Sequence, residues 1–240
     1  MNDDKQKGFE ASLEEVDQEL EEIIFNLRPR EERSIQLKKI SDNFRHKRPV
    51  SDYEMDYIFP PDIAKKSHPH WTPAGVASRA LELLNTTEES NVLDIGSGCG
   101  KFCIIAGLSS KGHFTGVEQR KNLVEVADQV TKELQIKNVS FIHGNMLDLD
   151  WTVYNCLYFF NPFYEHVMSD PHYWIDDTLP INKKTFDNYV KSVQLKLKSV
   201  KVGTKVVTYH GFGGKFPFGY LRLIKEEAYT GNLELWIKEK

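Results

Sequence analysis

The chain has 240 residues, 40% of them hydrophobic, with a formal net charge of −4 and three cysteines. That length suits one medium domain with an extension, or two small ones, and the slightly negative charge argues against broad nonspecific nucleic-acid binding. No apolar run approaches the roughly 20 residues of a membrane span, and the acidic, polar N-terminus does not read as a secretory signal. Cys99, Cys103 and Cys156 have no metal spacing and cannot all pair, so a reducing, cytoplasmic setting is expected.

Residues 1–70 differ in texture from the rest and are expected to form a helical extension to a domain spanning 71–240. Leu13, Val16, Leu20, Ile23, Ile24 and Leu27 recur at helical spacing among glutamates, which predicts an amphipathic helix ending near Pro29. A second helix is expected over 31–44. The basic cluster Arg45-His46-Lys47-Arg48 closes it, favourable at a helix C-terminus; it reads as a solvated helix end before it reads as a contact for an acidic partner. Thr72-Pro73 predicts a helix start, a hydroxyl cap and then proline where no N–H bond is needed, for a helix running to Leu84. His68 and His70 share a loop with no nearby Cys or clustered acid, and no metal is expected.

The segment Asn91-Val-Leu-Asp-Ile-Gly-Ser-Gly-Cys-Gly100 is the most informative in the chain. It reads as a buried strand running into a turn with glycines at 96, 98 and 100, followed by an apolar helix over 102–108. Glycines at alternate positions let bare backbone approach a ligand. A second strand, 113–117, ends in Glu118, an acid able to accept hydrogen bonds from both hydroxyls of a ribose. Cys99, with no His adjacent in sequence to activate it, reads as a small filler in the turn rather than a nucleophile.

The spacing separates three cofactors. A phosphate-cradling P-loop needs four residues between its glycines, then Lys and a hydroxyl. Here three residues separate Gly96 from Gly100, and Phe102 follows Lys101. The dinucleotide fingerprint needs glycine where this chain has Lys101. S-adenosylmethionine has no phosphate and needs no pyrophosphate turn. Val92 to Gly100, with Gly116-Val117-Glu118 downstream, resembles the first two motifs of class I S-adenosylmethionine-dependent methyltransferases, and the resemblance covers roughly Trp71 to the C-terminus. It implies that Asp94 and the turn residues Gly96, Ser97, Gly98 and Gly100 sit beside the methionine part of the cofactor, and that Glu118 holds the ribose. His143-Gly144-Asn145-Met146 matches the next motif. Asn145 stands where an Asp is common, and its amide offers a donor and an acceptor to an adenine edge; Asp148 is the alternative acid. Thr72-Pro73 is similar to the segment that closes over the methionine end in many amino-methyltransferases.

From Asn91 onward strands (92–95, 113–117, 139–142, 155–160, 204–210) alternate with helices (102–108, 121–134, 184–198), which implies a doubly wound parallel sheet. Segments 220–228 and 233–238 flank Thr230-Gly231-Asn232, read as a hairpin turn. The whole is an α/β fold: a mostly parallel seven-stranded sheet with a C-terminal antiparallel hairpin and an α-helical N-terminal extension. The hairpin resembles the methyltransferase sheet more than a plain dinucleotide fold.

The fourth strand runs into Asn161-Pro162-Phe163-Tyr164, similar to the Asn-Pro-Pro-Tyr motif of methyltransferases that modify amide or amine nitrogens. The resemblance implies that Asn161 and the Pro162 carbonyl orient the target nitrogen, with Asn161 facing the cofactor's methyl group, and that Tyr164 packs against a planar acceptor. Phe163 replaces the second proline. Two aromatic-rich segments, 164–180 and 211–219, read equally as a pocket or lid and as secondary clusters covering the sheet. The expected function is methylation of a nitrogen on a protein side chain, of lysine or of glutamine/asparagine type. Gly-Ser-Gly followed by Gly-Val-Glu also resembles the histone-lysine methyltransferases built on this fold. The alternatives are a small-molecule methyltransferase, an NAD(P)-dependent oxidoreductase, and a module that binds the cofactor without turnover.

Overall fold

The computed structural model describes residues 30–240, and the helix expected over 13–27 lies outside them. Helix α1 (Arg30–Arg45) is the expected second helix. It buries Ile40 and Phe44, and the turns that follow it bury Met55, Ile58, Phe59 and Ile63. These side chains share one hydrophobic cluster with the helices beneath the sheet, so residues 40–63 pack into the same core as the segment carrying the glycine turn.

The longer elements that follow are α2 (Ala74–Leu84), β1 (Asn91–Ile95), α3 (Lys101–Ser109), β2 (His113–Glu118), α4 (Lys121–Glu133), β3 (Val139–His143), β4 (Cys156–Phe160), α5 (Lys183–Ser199), β5 (Lys205–Tyr209), β6 (Tyr220–Ala228) and β7 (Gly231–Lys238). The sheet order is β3-β2-β1-β4-β5-β7-β6, with β7 antiparallel to both neighbours. The expected seven-stranded α/β sheet is therefore present. Order reverses between β1 and β4, the crevice where ligands of open α/β sheets bind.

Strand alternation divides the core. Val92 points to the face covered by α2, α3 and α4, whereas Leu93 and Ile95 point to the face covered by α5. Helix α3 is apolar on every side because it is buried on every side: Phe102, Cys103, Ile104, Ile105 and Ala106 are all 2% exposed or less. Phe102 stacks on Tyr158 of β4 with ring centroids 3.9 Å apart, which pins the helix after the glycine turn to the strand leading to Asn161. Among the described residues no helix is long and apolar enough to cross a membrane.

Two local expectations are corrected. The hairpin turn is Tyr229-Thr230, one step earlier than read. Ala228 pairs with Gly231, Tyr229 takes a left-handed φ of +50°, and Gly231 is the first residue of β7, beside the His210 ring. Thr72 does not cap α2. Its Oγ1 lies 3.1 Å from the Tyr158 hydroxyl inside the protein, and the Ala74 N–H donates instead to Asp52 Oδ1 at 2.7 Å. A carboxylate brought in from 22 residues upstream is the better acceptor for a helix N-terminus, where the dipole favours negative charge.

Candidate functional site

The glycine turn begins where β1 leaves the sheet. The Gly96 and Ser97 N–H groups both donate to the Val117 carbonyl at 3.0 Å, which bends the chain across the end of β2. Gly96 and Gly98 have φ of +74° and +54°, and both are hemmed in. A Cβ on Gly96 would stand 2.8 Å from Pro162 Cβ, and one on Gly98 would stand 2.6 Å from the Trp71 ring. Only glycine meets both conditions. The close approach of Gly96 to Pro162 brings the first and fourth strand ends together, as the sequence reading required.

The acids expected at the cofactor are both buried. Glu118 Oε2 accepts the Gly98 N–H at 3.1 Å and Oε1 accepts the Arg120 N–H at 2.9 Å, so the acid at the end of β2 is held against the turn. Asp94 is 3% exposed. Burial pushes its pKa up to about 7, opposed by the Cys103 S–H donated at 3.5 Å and reinforced by the charge of Glu118. Ser97 Oγ is buried with no hydrogen-bond partner among the described residues. A backbone cradle that any Cβ would fill, an orphaned hydroxyl and two buried carboxylates fit the methionine and ribose parts of S-adenosylmethionine.

A cleft at the carboxyl ends of β1, β2 and β4 is lined by Gly96, Gly98, Glu118, Met146, Asn161, Pro162 and Tyr164. An adjoining pocket, sharing His70, Trp71, Gly96 and Phe160 with it, reaches Thr72, Asp94 and Ser97. Two expected cofactor residues do not line either space. Gly100, the residue before α3, lies against Phe141 and Ala127 and serves packing. Asn145 spends its amide inside the protein: Oδ1 accepts the Leu147 N–H at 3.0 Å, and Nδ2 donates to the Tyr189 hydroxyl at 3.1 Å. Its neighbours Gly144 and Met146 line the cleft instead.

Asn161 has φ +37°, a left-handed conformation that Asn tolerates better than most residues. Its N–H donates to the Gly211 carbonyl and its carbonyl accepts the Tyr164 N–H, both at 3.1 Å. Its side-chain amide, in the cleft, has no hydrogen-bond partner among the described residues. Phe163, in place of the second proline, is 4% exposed and stacks on Tyr189 at 5.0 Å. An aromatic anchor here restrains the loop that a proline ring would stiffen. Tyr164 stands edge-on to Tyr173, centroids 6.4 Å apart.

The two aromatic segments part company. Residues 164–181 supply cleft walls through Tyr164, Glu165, His166, Ile175, Leu179 and Ile181. Residues 211–219 cover the sheet: Phe212 is 1% exposed and Phe216 stacks on Trp236 at 4.2 Å.

Sequence reasoning missed three features. Trp71 lies over Gly98, its Nε1–H held by the Ile63 carbonyl at 2.8 Å. Lys101, 1% exposed, ties the start of α3 to Asp52 at 2.7 Å, Asp56 at 2.6 Å and Ser67 Oγ at 2.9 Å. Arg120 sits in the cleft among Glu118, Glu165 and Asp176. Burial alone lowers the Arg120 pKa, but the hydrogen bond to Asp176 and the surrounding carboxylates outweigh it and raise the pKa. Arg120 follows Glu118 by two residues in sequence, but nothing local announces its partners beyond the acids in the aromatic segment.

Comparison with known proteins agrees with this geometry. A sequence profile described as a methyltransferase domain matches residues 86–191. Demethylmenaquinone methyltransferase of Listeria welshimeri is 29% identical over 89 residues, covering 36% of this chain and 36% of that one. Release factor glutamine methyltransferase of Fusobacterium nucleatum is 27% identical over 118 residues, covering 48% of this chain and 30% of that one. The chain thus spans about a third of the length of these curated relatives. An RNA methyltransferase from Salinibacter ruber, solved with S-adenosyl-L-homocysteine, shares the fold with a TM-score of 0.52 at 21% identity, over 70% of this chain and 94% of that one. Residues 86–191 match a methyltransferase domain, and the strand order and the meeting of the two loops agree with that match.

Proposed function

We propose that the chain transfers a methyl group from S-adenosylmethionine to a nitrogen of a protein side chain, a carboxamide of the glutamine or asparagine type ahead of a lysine amine. The reading is carried by Asn161, whose side-chain amide, with no partner among the described residues, stands in the cleft where Pro162 meets the glycine turn. Thr72, Asp94, Gly96, Ser97 and Gly98 would hold the methionine end of the cofactor, Glu118 the ribose, and Gly144 and Met146 the adenine side. Bound there, the cofactor supplies a methyl group already activated on a sulfonium.

The protein's task is then alignment, the source of most of the rate in such a transfer. Asn161 Oδ1 and the Pro162 carbonyl accept the N–H bonds of the acceptor and leave its lone pair aimed at the methyl carbon. Tyr164 packs against the planar group. The charge balance of the cleft favours a neutral nitrogen. Glu165 is paired with Arg120, and Glu118 is engaged by two N–H groups. Burial, with the charges of Lys66, Arg120 and His68, lowers the His70 pKa to about 4, and burial with Arg120 lowers that of His166. Both imidazoles are neutral near pH 7, and among the described residues the cleft offers an ammonium no unpaired carboxylate.

A small planar acceptor is the second reading. Phe160, Ile175, Leu179 and Ile181 give the cleft an apolar wall, and one relative is named for demethylmenaquinone. Incubation with methyl-labelled S-adenosylmethionine and size-fractionated lysate tests both. Label in the protein fraction supports the first reading and label only in the small-molecule fraction the second. No transfer to any fraction refutes both.

A further inference from the structure

We propose that Arg120 is a positioning residue that couples the cofactor site to the acceptor wall, an inference that rests on the methyl-transfer reading above. Three carboxylates from two regions converge on its guanidinium. Glu118 Oε1, at the end of β2, is 4.0 Å from Nη1. Glu165 Oε2 is 2.9 Å from Nη2 and Asp176 Oδ1 is 2.8 Å from Nε. The Arg120 side chain is 4% exposed, so these pairs are shielded from solvent. Glu118 faces the glycine turn. Glu165 and Asp176 belong to the segment that follows Asn161-Pro162 and walls the acceptor side of the cleft.

Within that segment Trp174 Nε1–H donates to the Met168 carbonyl at 3.1 Å, and Asp176 Oδ1 accepts the Thr178 N–H at 3.0 Å. The segment's regular structure is limited to single turns at Tyr164–Val167 and Pro171–Tyr173. It is clasped at Ile175, whose N–H donates to Glu165 Oε2 at 2.8 Å and whose carbonyl accepts Lys66 Nζ at 2.7 Å. Glu165 Oε2 thus serves Arg120 and Ile175 together. A planar guanidinium reaches acceptors in divergent directions at once, which an ammonium on a flexible stem does not reproduce. When ligand hydroxyls engage Glu118, the field at Arg120 changes, and with it the two ion pairs that fix the wall. Arg120 touches neither reacting atom; it sets where the wall stands relative to the cofactor.

The test is amide hydrogen exchange on the full chain with and without S-adenosylhomocysteine, comparing wild type, Arg120→Lys and the double variant Glu165→Gln/Asp176→Asn. In wild type the ligand should slow exchange over both 96–100 and 164–176. In the double variant the slowing over 96–100 should remain, with calorimetric Kd within about threefold, while that over 164–176 disappears. Arg120→Lys should lose it as well, and it keeps the buried charge if the double variant folds poorly. A purely structural role predicts faster exchange over 164–176 in both variants, with the ligand still slowing it by the wild-type ratio, and that result overturns the coupling. Slowing over 164–176 that survives in both variants, or is absent from wild type, also overturns it. No binding heat and no protection at 96–100 in wild type instead refute the cofactor reading, and the coupling falls with it.

Discussion

Replacing Gly98 with alanine isolates the contact between Trp71 and the glycine turn. The added Cβ would lie 2.6 Å from Trp71 Cζ3 and 2.8 Å from Cε3, at a backbone φ of +54°. Trp71 cannot swing aside cheaply, because it is 4% exposed and its Nε1–H is bound to the Ile63 carbonyl. A left-handed alanine costs about 1–2 kcal/mol, and forcing an extra methyl into a packed site adds about 1–3 kcal/mol. Gly203→Ala is the control, since Gly203 has φ +87° but nothing within 4 Å of the added Cβ, so only the conformational part applies. At about 2–4 °C per kcal/mol for a chain of this size, Gly98→Ala should lower Tm by about 4–20 °C and Gly203→Ala by about 2–8 °C. Urea denaturation at fixed pH gives the same comparison in free energy. In a double-mutant cycle, Trp71→Ala should make Gly98→Ala cheaper by about 1–2 kcal/mol. Equal losses for Gly98→Ala and Gly203→Ala, within about 0.5 kcal/mol, refute the steric argument and the placement of Trp71 over the turn.

Asn161→Ala should lower kcat/KM by about 100-fold or more while the Kd for S-adenosylhomocysteine stays within about threefold; equal losses in both would deny it an acceptor role. Asp94, with a folded pKa of about 7 against an ordinary 3.8, contributes stability that is complete below about pH 4 and is lost as pH rises through about 7. At about 1.4 kcal/mol per pKa unit the loss is roughly 4 kcal/mol, and Asp94→Asn should flatten that slope in urea melts run across the range. The same ionisation should tighten binding of the cationic S-adenosylmethionine as pH rises through about 7, measured by calorimetry. Lys101→Met strands Asp52 and Asp56 and should cost about 3–5 kcal/mol by chemical denaturation, a loss that Asp52→Asn and Asp56→Asn added together should partly restore.

Much of this was legible because it is written locally. The apolar run of β4, the alternating glycines and the acid closing β2 are neighbours in the chain, and their register follows from pleat and turn geometry. The terminal hairpin was legible for the same reason, apart from its turn, which shifted because Ala228 pairs with Gly231. What escaped was long-range. Arg120 finds Glu165 and Asp176 at separations of 45 and 56 residues, and Lys101 finds Asp52 at 49. No spacing rule connects such pairs. Asn145 turns inward for a subtler reason: an amide suited to an adenine edge is equally suited to its own backbone, and the Leu147 N–H is closer at hand.

Asp52 Oδ1 receives both the Lys101 ammonium and the first N–H of α2, each at 2.7 Å. One atom of the upstream region therefore staples the entrances of two helices that flank the glycine turn. A version of the chain trimmed to begin at Trp71 would leave an uncompensated cation inside the protein and a helix start without its acceptor. Any attempt to isolate a smaller folded piece should keep the stretch from Ser51 onward, because the glycine turn borrows its rigidity from there.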